Sequence, residues 1–461
     1  MTEAARRLLD AFLGSLDIQV PLAAVTLNDG PSLPSVFRVS DLAQASIGAA
    51  GSVMGAFISL MTKGEPPKVT VERDLASAWF AGSLRPRGWE LPAAWDAIAG
   101  DYRCSDGWIR LHTNAARHRE AALTVLGVAE ERAEVGRATS SWEADALETA
   151  VVDSGGAAAA MRTLAAWRSH PQGSAVVGEP LVWVNRTDAP ELPDVPRAYS
   201  NRPLTGVRVL DLTRVLAGPV ATRLLAGWGA EVLRIDPPDW DEPALTPEVM
   251  LGKRSARLDL RRSDDRERFI GLLGVADVLV HGYRPGALER LGFDEETLSA
   301  VRPGLVDVSL NAYGWTGPWR NRRGFDSLVQ MSTGIADAGR AGGESDPPAP
   351  LPVQALDHAT GYLLAASAIA GLITRQLEGQ GSRWRTSLAR VAELLVDVGS
   401  PPDEFGEVRG KVDLEQNQPL ERTSWGNAWR LPPPLWVSGA PLRWTLPARR
   451  LGSDVPSWLA S

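Results

Sequence analysis

The chain has 461 residues, 44% of them hydrophobic and 23% charged, a length for two to four domains with a core each. Lys and Arg number 48 and Asp and Glu 56, a formal charge of −8 that, without any basic block, speaks against nucleic acid as a partner. The single cysteine, Cys104, excludes an internal disulfide and a thiolate metal cluster, and predicts a reducing, cytoplasmic setting.

Thr2 to Leu16 mixes Glu3, Arg6, Arg7 and Asp10 with apolar residues at helical spacing, which predicts an amphipathic helix rather than a secretory signal. Leu42 to Thr62 is uncharged but dominated by Ala, Gly and Ser. Its transfer energy is weak and its small residues suit close packing, so a buried helix is expected and no membrane partner. Residues 1–84 therefore form an N-terminal helical segment. Residues 85–187 contain a turn and strand from Ser105 to His112 and a helix from His118 to Leu126, the pattern of a small α+β domain. Residues 188–203, rich in proline, read as an extended linker. Beyond it the periodicity changes. Val207–Leu212, Glu231–Ile235, Asp277–Val280 and Leu305–Leu310 are strands alternating with helical stretches such as Val220–Gly227, the mark of βαβ units. The fold class is α/β: a Rossmann-like parallel-sheet domain over 204–399, with a small α+β domain placed N-terminally. Residues 400–461, rich in Pro and Trp without clear period, are expected to be an irregular tail.

A weak internal repeat crosses these boundaries. Val39 to Phe57 lies over Ala355 to Ile373, so that Asp41 and Asp357 each stand before a small-residue helix. Taken alone, an Asp at such a place is most simply an N-cap, and Ala/Gly-rich helices align easily.

Motifs for familiar chemistries are missing. The five histidines, His112, His118, His170, His281 and His358, show no metal-ligand spacing, so no metal is expected. No Gly-x-Ser-x-Gly elbow occurs, and Gly252-Lys-Arg-Ser255 lacks the first glycine of a P-loop. The turn after Leu212 invites a dinucleotide reading, with Asp236 placed to accept a ribose hydroxyl. It carries one glycine, Gly218, where that fingerprint has three.

The same turn opens an ordered series of motifs: Val209 to Pro219, Leu225 to Asp236, Gly252 to Leu260, Ala276 to Gly292, Tyr313 to Pro318, Gly324-Phe-Asp326 and Ala355-Leu-Asp357. Singly each is weak; in this order and spacing the set resembles the class III CoA-transferase (CaiB/BaiF) family over about residues 203 to 390. Asp106 to His112, His118 to Gly127 and Gly155 to Gly173 resemble the family's later parts, which places those parts in permuted order.

The resemblance implies a CoA-transferase moving CoA between an acyl-CoA and a carboxylic acid. Asp357 sits at the position of the aspartate that attacks the thioester and becomes an aspartyl-CoA intermediate. It also implies that Leu216 and Ala217 line the CoA cleft with backbone groups. Leu258 to Arg261 and Gly282, Tyr283 and Arg284 would flank the adenine, and Arg290 and Arg323 would lie near phosphates. Each arginine taken singly reads more simply as a solvated surface charge. No tightly bound cofactor is implied, coenzyme A being part of the substrate, and a homodimer is expected. Asp41, with no nucleotide-type domain before it, is read as structural. Two alternatives stay open. Acyl-CoA racemases of the family use a histidine where this chain has Phe325, so His358 could replace it only by facing the cleft. A non-catalytic CoA-binding paralogue is the other.

Overall fold

The computed structural model describes residues 1–187, 201–341, 346–400 and 420–459. Helix α1 (Glu3–Gly14) starts where the Thr2 hydroxyl accepts the Ala5 N–H, and it buries Leu8, Leu9 and Phe12 as its spacing predicts. Strand β1 (Val25–Asn28), helix α2 (Val39–Thr62), strand β2 (Val69–Glu72) and helix α3 (Arg73–Phe80) follow, with β1 and β2 parallel and α2 crossing between them. Strand β3 (Leu84–Pro86) leads to a small unit with its own core around Ile98, Ile109, Leu111, Leu147 and Val151. That unit comprises β4 (Gly100–Arg103), β5 (Trp108–Leu111), α4 (Ala116–Leu126), α5 (Arg132–Thr139), α6 (Ala144–Asp153) and β6 (Ala158–Ala160), its strands antiparallel in the order β4-β5-β6. Helices α7 (Leu164–Ser169) and α8 (Pro171–Val177) and strand β7 (Trp183–Thr187) complete the N-terminal half.

The second half alternates as the sequence pattern predicts. Its elements are β8 (Arg208–Leu212), α9 (Ala217–Gly227), β9 (Glu231–Asp236), α10 (Thr246–Val249), β10 (Arg254–Arg257), α11 (Ser263–Leu273), β11 (Val278–His281), α12 (Glu295–Val301) and β12 (Val306–Asn311), then α13 (Asp326–Ser332), α14 (Ile335–Ala338), α15 (Ala355–Glu378), β13 (Gly381–Ser387) and α16 (Leu388–Asp397). The sheet order is β10-β9-β8-β11-β12-β13-β7; the first six strands are parallel and β7 adds antiparallel to the edge. In order of appearance those six run 3-2-1-4-5-6, the doubly wound order, which opens a crevice at the carboxyl ends of β8 and β11 where the winding reverses. The protein is thus mixed α/β, with a seven-stranded, mostly parallel sheet.

Two expectations change, and a third falls mostly outside the described residues. Residues 420–459 are not irregular: β14 (Glu421–Thr423) pairs with β15 (Gly426–Arg430), β15 pairs with β3, and β16 (Leu435–Val437) pairs with β2. These strands, three to five residues long, are too short to show a period, and apart from the β14–β15 hairpin their partners, β3 and β2, lie more than 300 residues away. The linker expected at 188–203 falls, up to residue 200, outside the described residues. Neither Asp41 nor Asp357 is an N-cap; α2 begins at Val39 and α15 at Ala355, so each aspartate is the third residue of its helix.

Both long apolar helices are core helices that pack on one another. They have 24 residues each, start two residues before their aspartates and end on a left-handed residue, Lys63 or Gly379. Each is flanked by parallel strands and followed directly by a strand-then-helix pair, β2–α3 or β13–α16. The repeat suspected from the sequence is therefore a repeated β-α-β-α arrangement.

Candidate active site

At the carboxyl ends of β8, β11 and β12 lies a cleft of about 490 Å³. Its walls come from the turn after β8 (Thr213, Arg214, Val215, Ala217), the turn after β11 (Gly282, Tyr283, Arg284, Arg290), the segment before α13 (Arg322 to Phe325), α4 (Arg117, His118) and Asp357. Helices α9 and α15 meet behind it. The carbonyl of Ala217 lies on Gly361, where a Cβ would come within 2.5 Å of that oxygen. A Cβ at Gly218 would lie 2.2 Å from the Thr213 side chain, so both glycines are needed for the turn to seat.

Asp357 is buried, in the first turn of α15. The N-cap residue Gln354 makes no side-chain cap bond; instead Asp326 Oδ2 accepts the Asp357 N–H at 2.9 Å. The other Asp326 oxygen accepts from Gln330 Nε2, whose own Oε1 takes the Leu351 N–H at 2.7 Å. One helix's acid thus supplies the cap of another, and two carboxyls are confined together without a cation paired to either among the described residues. Burial pushes Asp326 up to about 6, against the lowering by its N–H donors. Burial first, and then the charge of Asp326, holds Asp357 well above the usual carboxylate range.

The opposite wall is cationic. Arg117, Arg214, Arg284, Arg290 and Arg323 all line the cleft, and none makes a salt bridge among the described residues. Arg323 is lowered to about 10 by burial and by Arg284 and Arg117, while its Nη1 donates to the Gly155 carbonyl at 2.6 Å. Arg284 is lowered by burial and by Arg290 and Arg117. Guanidiniums crowded together without counter-charges make a site for a multiply charged anion. Arg214 lies over the Trp240 ring at 4.5 Å and the Tyr283 ring at 5.7 Å, so flat surfaces adjoin the charge.

Of the residues anticipated from the sequence, Asp357, Ala217, Arg261, Gly282, Tyr283, Arg284, Arg290 and Arg323 line this one cleft. Arg261 sits at its rim, paired with Asp259 at 2.7 Å and 70% exposed. Leu216 and Leu258 do not line it. Val215 has a left-handed backbone (φ 64°), which turns the Leu216 side chain into the core, and Leu258 joins the apolar cluster of Leu233 and Ile235. Asp236 is fully buried against Arg234, with bonds of 2.8 and 3.0 Å, so it cannot accept a ribose hydroxyl in the cleft. His358 stacks on Phe80 at 4.8 Å, away from the cleft.

Arg117, His118, Arg214 and Arg322 escaped the sequence reading. Arg214 stood inside a quoted motif; the α4 pair depends on the small unit folding back over the sheet, which no local spacing reveals. Phe325 is stacked on His112 at 3.7 Å and meets His118 edge-on at 5.9 Å. Burial lowers His118 to about 4, helped by Arg117 and Arg323, and lowers His112 to about 3, so both rings are neutral at ordinary pH. Among the described residues no three His, Cys, Asp or Glu side chains are grouped to hold a metal.

Comparison with known proteins agrees with the motif series. Residues 204–403 match the sequence model of CoA-transferase family III. An acetyl-coenzyme A transferase from Hypoxylon pulicicidum is 37% identical over 212 residues, covering 44% of this chain and 36% of that protein. The succinyl-CoA:glutarate CoA-transferase of Mus musculus is 33% identical over 195 residues, 40% of this chain and 44% of that one. The crystal structure of a CAIB/BAIF family protein from Brucella suis is 27% identical, covering 49% of this chain and 65% of that chain, with a TM-score of 0.39. This chain spans about half the length of the curated relatives it matches. Over residues 204–403, the chain is similar to CoA-transferase family III.

Proposed function

We propose that the protein moves CoA between an acyl-CoA and a carboxylic acid through Asp357 as covalent carrier. The observation that carries this is one cleft holding a buried carboxyl with no cation paired to it, opposite five arginines that pair with no acid, among the described residues. The relatives named above as CoA-transferases support the reaction class.

In the proposed sequence the Asp357 carboxylate attacks the thioester carbonyl, forming a mixed anhydride and expelling CoA thiolate. The thiolate attacks the aspartyl carbonyl of that anhydride, releasing the donor acid and leaving an Asp357–CoA thioester. The acceptor carboxylate attacks this thioester, and the returning thiolate then takes the acceptor's acyl carbon, restoring the free carboxylate. The first step needs an ionised Asp357 and the third a charged acceptor, so the arginine wall serves both the CoA phosphates and the incoming acid. Adenine would lie against Tyr283 and Gly282, with Arg284, Arg290 and Arg323 toward the phosphates.

Incubation with acyl-CoA and hydroxylamine, followed by peptide mass spectrometry, tests the proposal. A hydroxamate on Asp357 is the expected result. Exchange of the acyl α-proton without modification would establish the racemase alternative, and neither result with retained CoA binding would establish the non-catalytic one.

A further inference from the structure

Val215 lines the cleft in a conformation its side chain opposes. Among the described non-glycine residues only Asp17, Lys63 and Val215 have positive φ, and Val215, at 64°, is the one with a branched Cβ. Something must hold it there. Its N–H donates to both oxygens of Glu242, at 2.9 and 3.2 Å. Glu242 in turn accepts from Arg234 Nη2 at 2.5 Å and from the Trp240 indole N–H at 2.7 Å. Arg234 is fully buried and bonded to Asp236, so the carboxylate has no freedom to follow the turn if it relaxes.

The rest of the turn is fixed at both ends. Asp211 accepts the Thr213 N–H at 2.9 Å and the buried Lys253 ammonium at 3.1 Å. The Ala217 carbonyl rests on Gly361, one helical turn beyond Asp357. Between these points only Val215 has a positive φ, and among the described residues only Glu242 bonds its N–H. Relaxation of Val215 to negative φ would swing Arg214 and Ala217, two pieces of the cleft wall, relative to α15.

We infer that Glu242 is a positioning residue: by holding Val215 left-handed it sets the wall of the cleft against Asp357. The inference rests on the CoA-transfer reading for its activity readout, and the test separates the two. Transfer from acetyl-CoA to a panel of carboxylic acids, together with thermal melting, is measured for the parent chain, E242A, E242Q, V215G and the double variant V215G/E242A. Misplacing a cleft wall by a fraction of a bond length costs at least about tenfold in kcat/KM, the loss expected for E242A in the parent background. Glycine adopts φ 64° without strain, so adding E242A to V215G is expected to cost no more than about threefold relative to V215G itself. E242Q keeps a carbonyl oxygen for the Val215 N–H and is expected to lie between parent and E242A. Equal losses in the two backgrounds would overturn the inference and leave Glu242 a partner of Arg234 alone. If the parent chain transfers no CoA, the CoA-transfer reading fails and the melting data decide: the drop caused by E242A is smaller in V215G if the inference holds, and the same in both backgrounds if it does not.

Discussion

Helices α2 and α15 are the same construction put to different uses. Both carry an aspartate as third residue, both have 24 residues and both lie between parallel strands. Around Asp41 the fold supplies counter-charge: Arg73 Nη1 donates to it at 2.7 Å, Arg38 approaches at 3.5 Å and the Thr2 hydroxyl donates at 2.5 Å. Around Asp357 it supplies another acid, Asp326, and an opening. The first residue of the following helix makes the difference visible. Arg73 opens α3 and reaches back to Asp41, whereas Leu388 opens α16 and lines the cleft. A buried aspartate becomes a fixed ion-pair partner or an unpaired acid at a cleft according to what stands one strand later, not according to its own helix.

The sharpest way to break this comparison is to neutralise each aspartate. Asp357→Asn preserves the backbone N–H that Asp326 accepts, so melting temperature is expected to hold. An amide cannot attack a thioester, so transfer is expected to fall by at least about a thousandfold. Near-parental transfer by this variant would end the covalent-carrier proposal.

Asp41→Asn reverses the pattern. It leaves the Arg73 guanidinium, 8% exposed, without its anion, and removing one partner of a buried pair costs about 3 kcal/mol or more. From sequence alone the same change reads as a cap exchange worth tenths of a kcal/mol. Urea unfolding distinguishes the two figures, and transfer by the folded variant should be intact. An Asp41→Asn chain that folds normally and has lost transfer would make the N-terminal copy part of a working site.

On the cationic wall, Arg290→Ala is expected to weaken CoA binding by about 1.5–3 kcal/mol, as for a charge-assisted hydrogen bond. Arg261→Ala is the internal control: that side chain is 70% exposed and already paired with Asp259, so its loss should cost well under 1 kcal/mol. Calorimetry giving equal effects for both would return Arg290 to the solvated surface.

How much of this was legible in the sequence follows from the range of each signal. Strands β8, β9, β11 and β12 announced themselves by short apolar runs, whereas β10, with two arginines and a serine, did not, and Asp357 stood out by its place at the end of an ordered motif series. The local repeat was visible at Asp41 and Asp357, but Arg73 as the ion partner was not, because residues 32 apart meet only once β2 and α3 have folded back. For the same reason Arg117 and His118 were missed, and the strands after residue 420 were taken for irregular chain. Leu216 was expected at the cleft through its backbone groups, and its side chain lies in the apolar core beside the left-handed Val215.

The finest distinction between the two helices is electrostatic, and Asp326→Asn tests it. In the parent, burial holds both carboxyls above their ordinary values, Asp326 at about 6, and the charge of Asp326 adds to the rise at Asp357. Transfer needs the Asp357 anion, so its rate should climb with pH as this pair gives up its protons. The stability consequence has the opposite sign. A carboxyl raised on folding binds its proton more tightly in the native state, so its contribution is complete below the unfolded value near 3.8. That contribution is lost as pH rises through about 6. Asp326→Asn removes one charge while leaving an oxygen for the Asp357 N–H, so the midpoint of the pH–rate profile should move to lower pH. The fall in stability across the same interval should shrink with it. An unchanged midpoint in Asp326→Asn would mean that burial alone sets the ionisation of Asp357, and the pairing of two acids would then be a capping arrangement without a part in the chemistry.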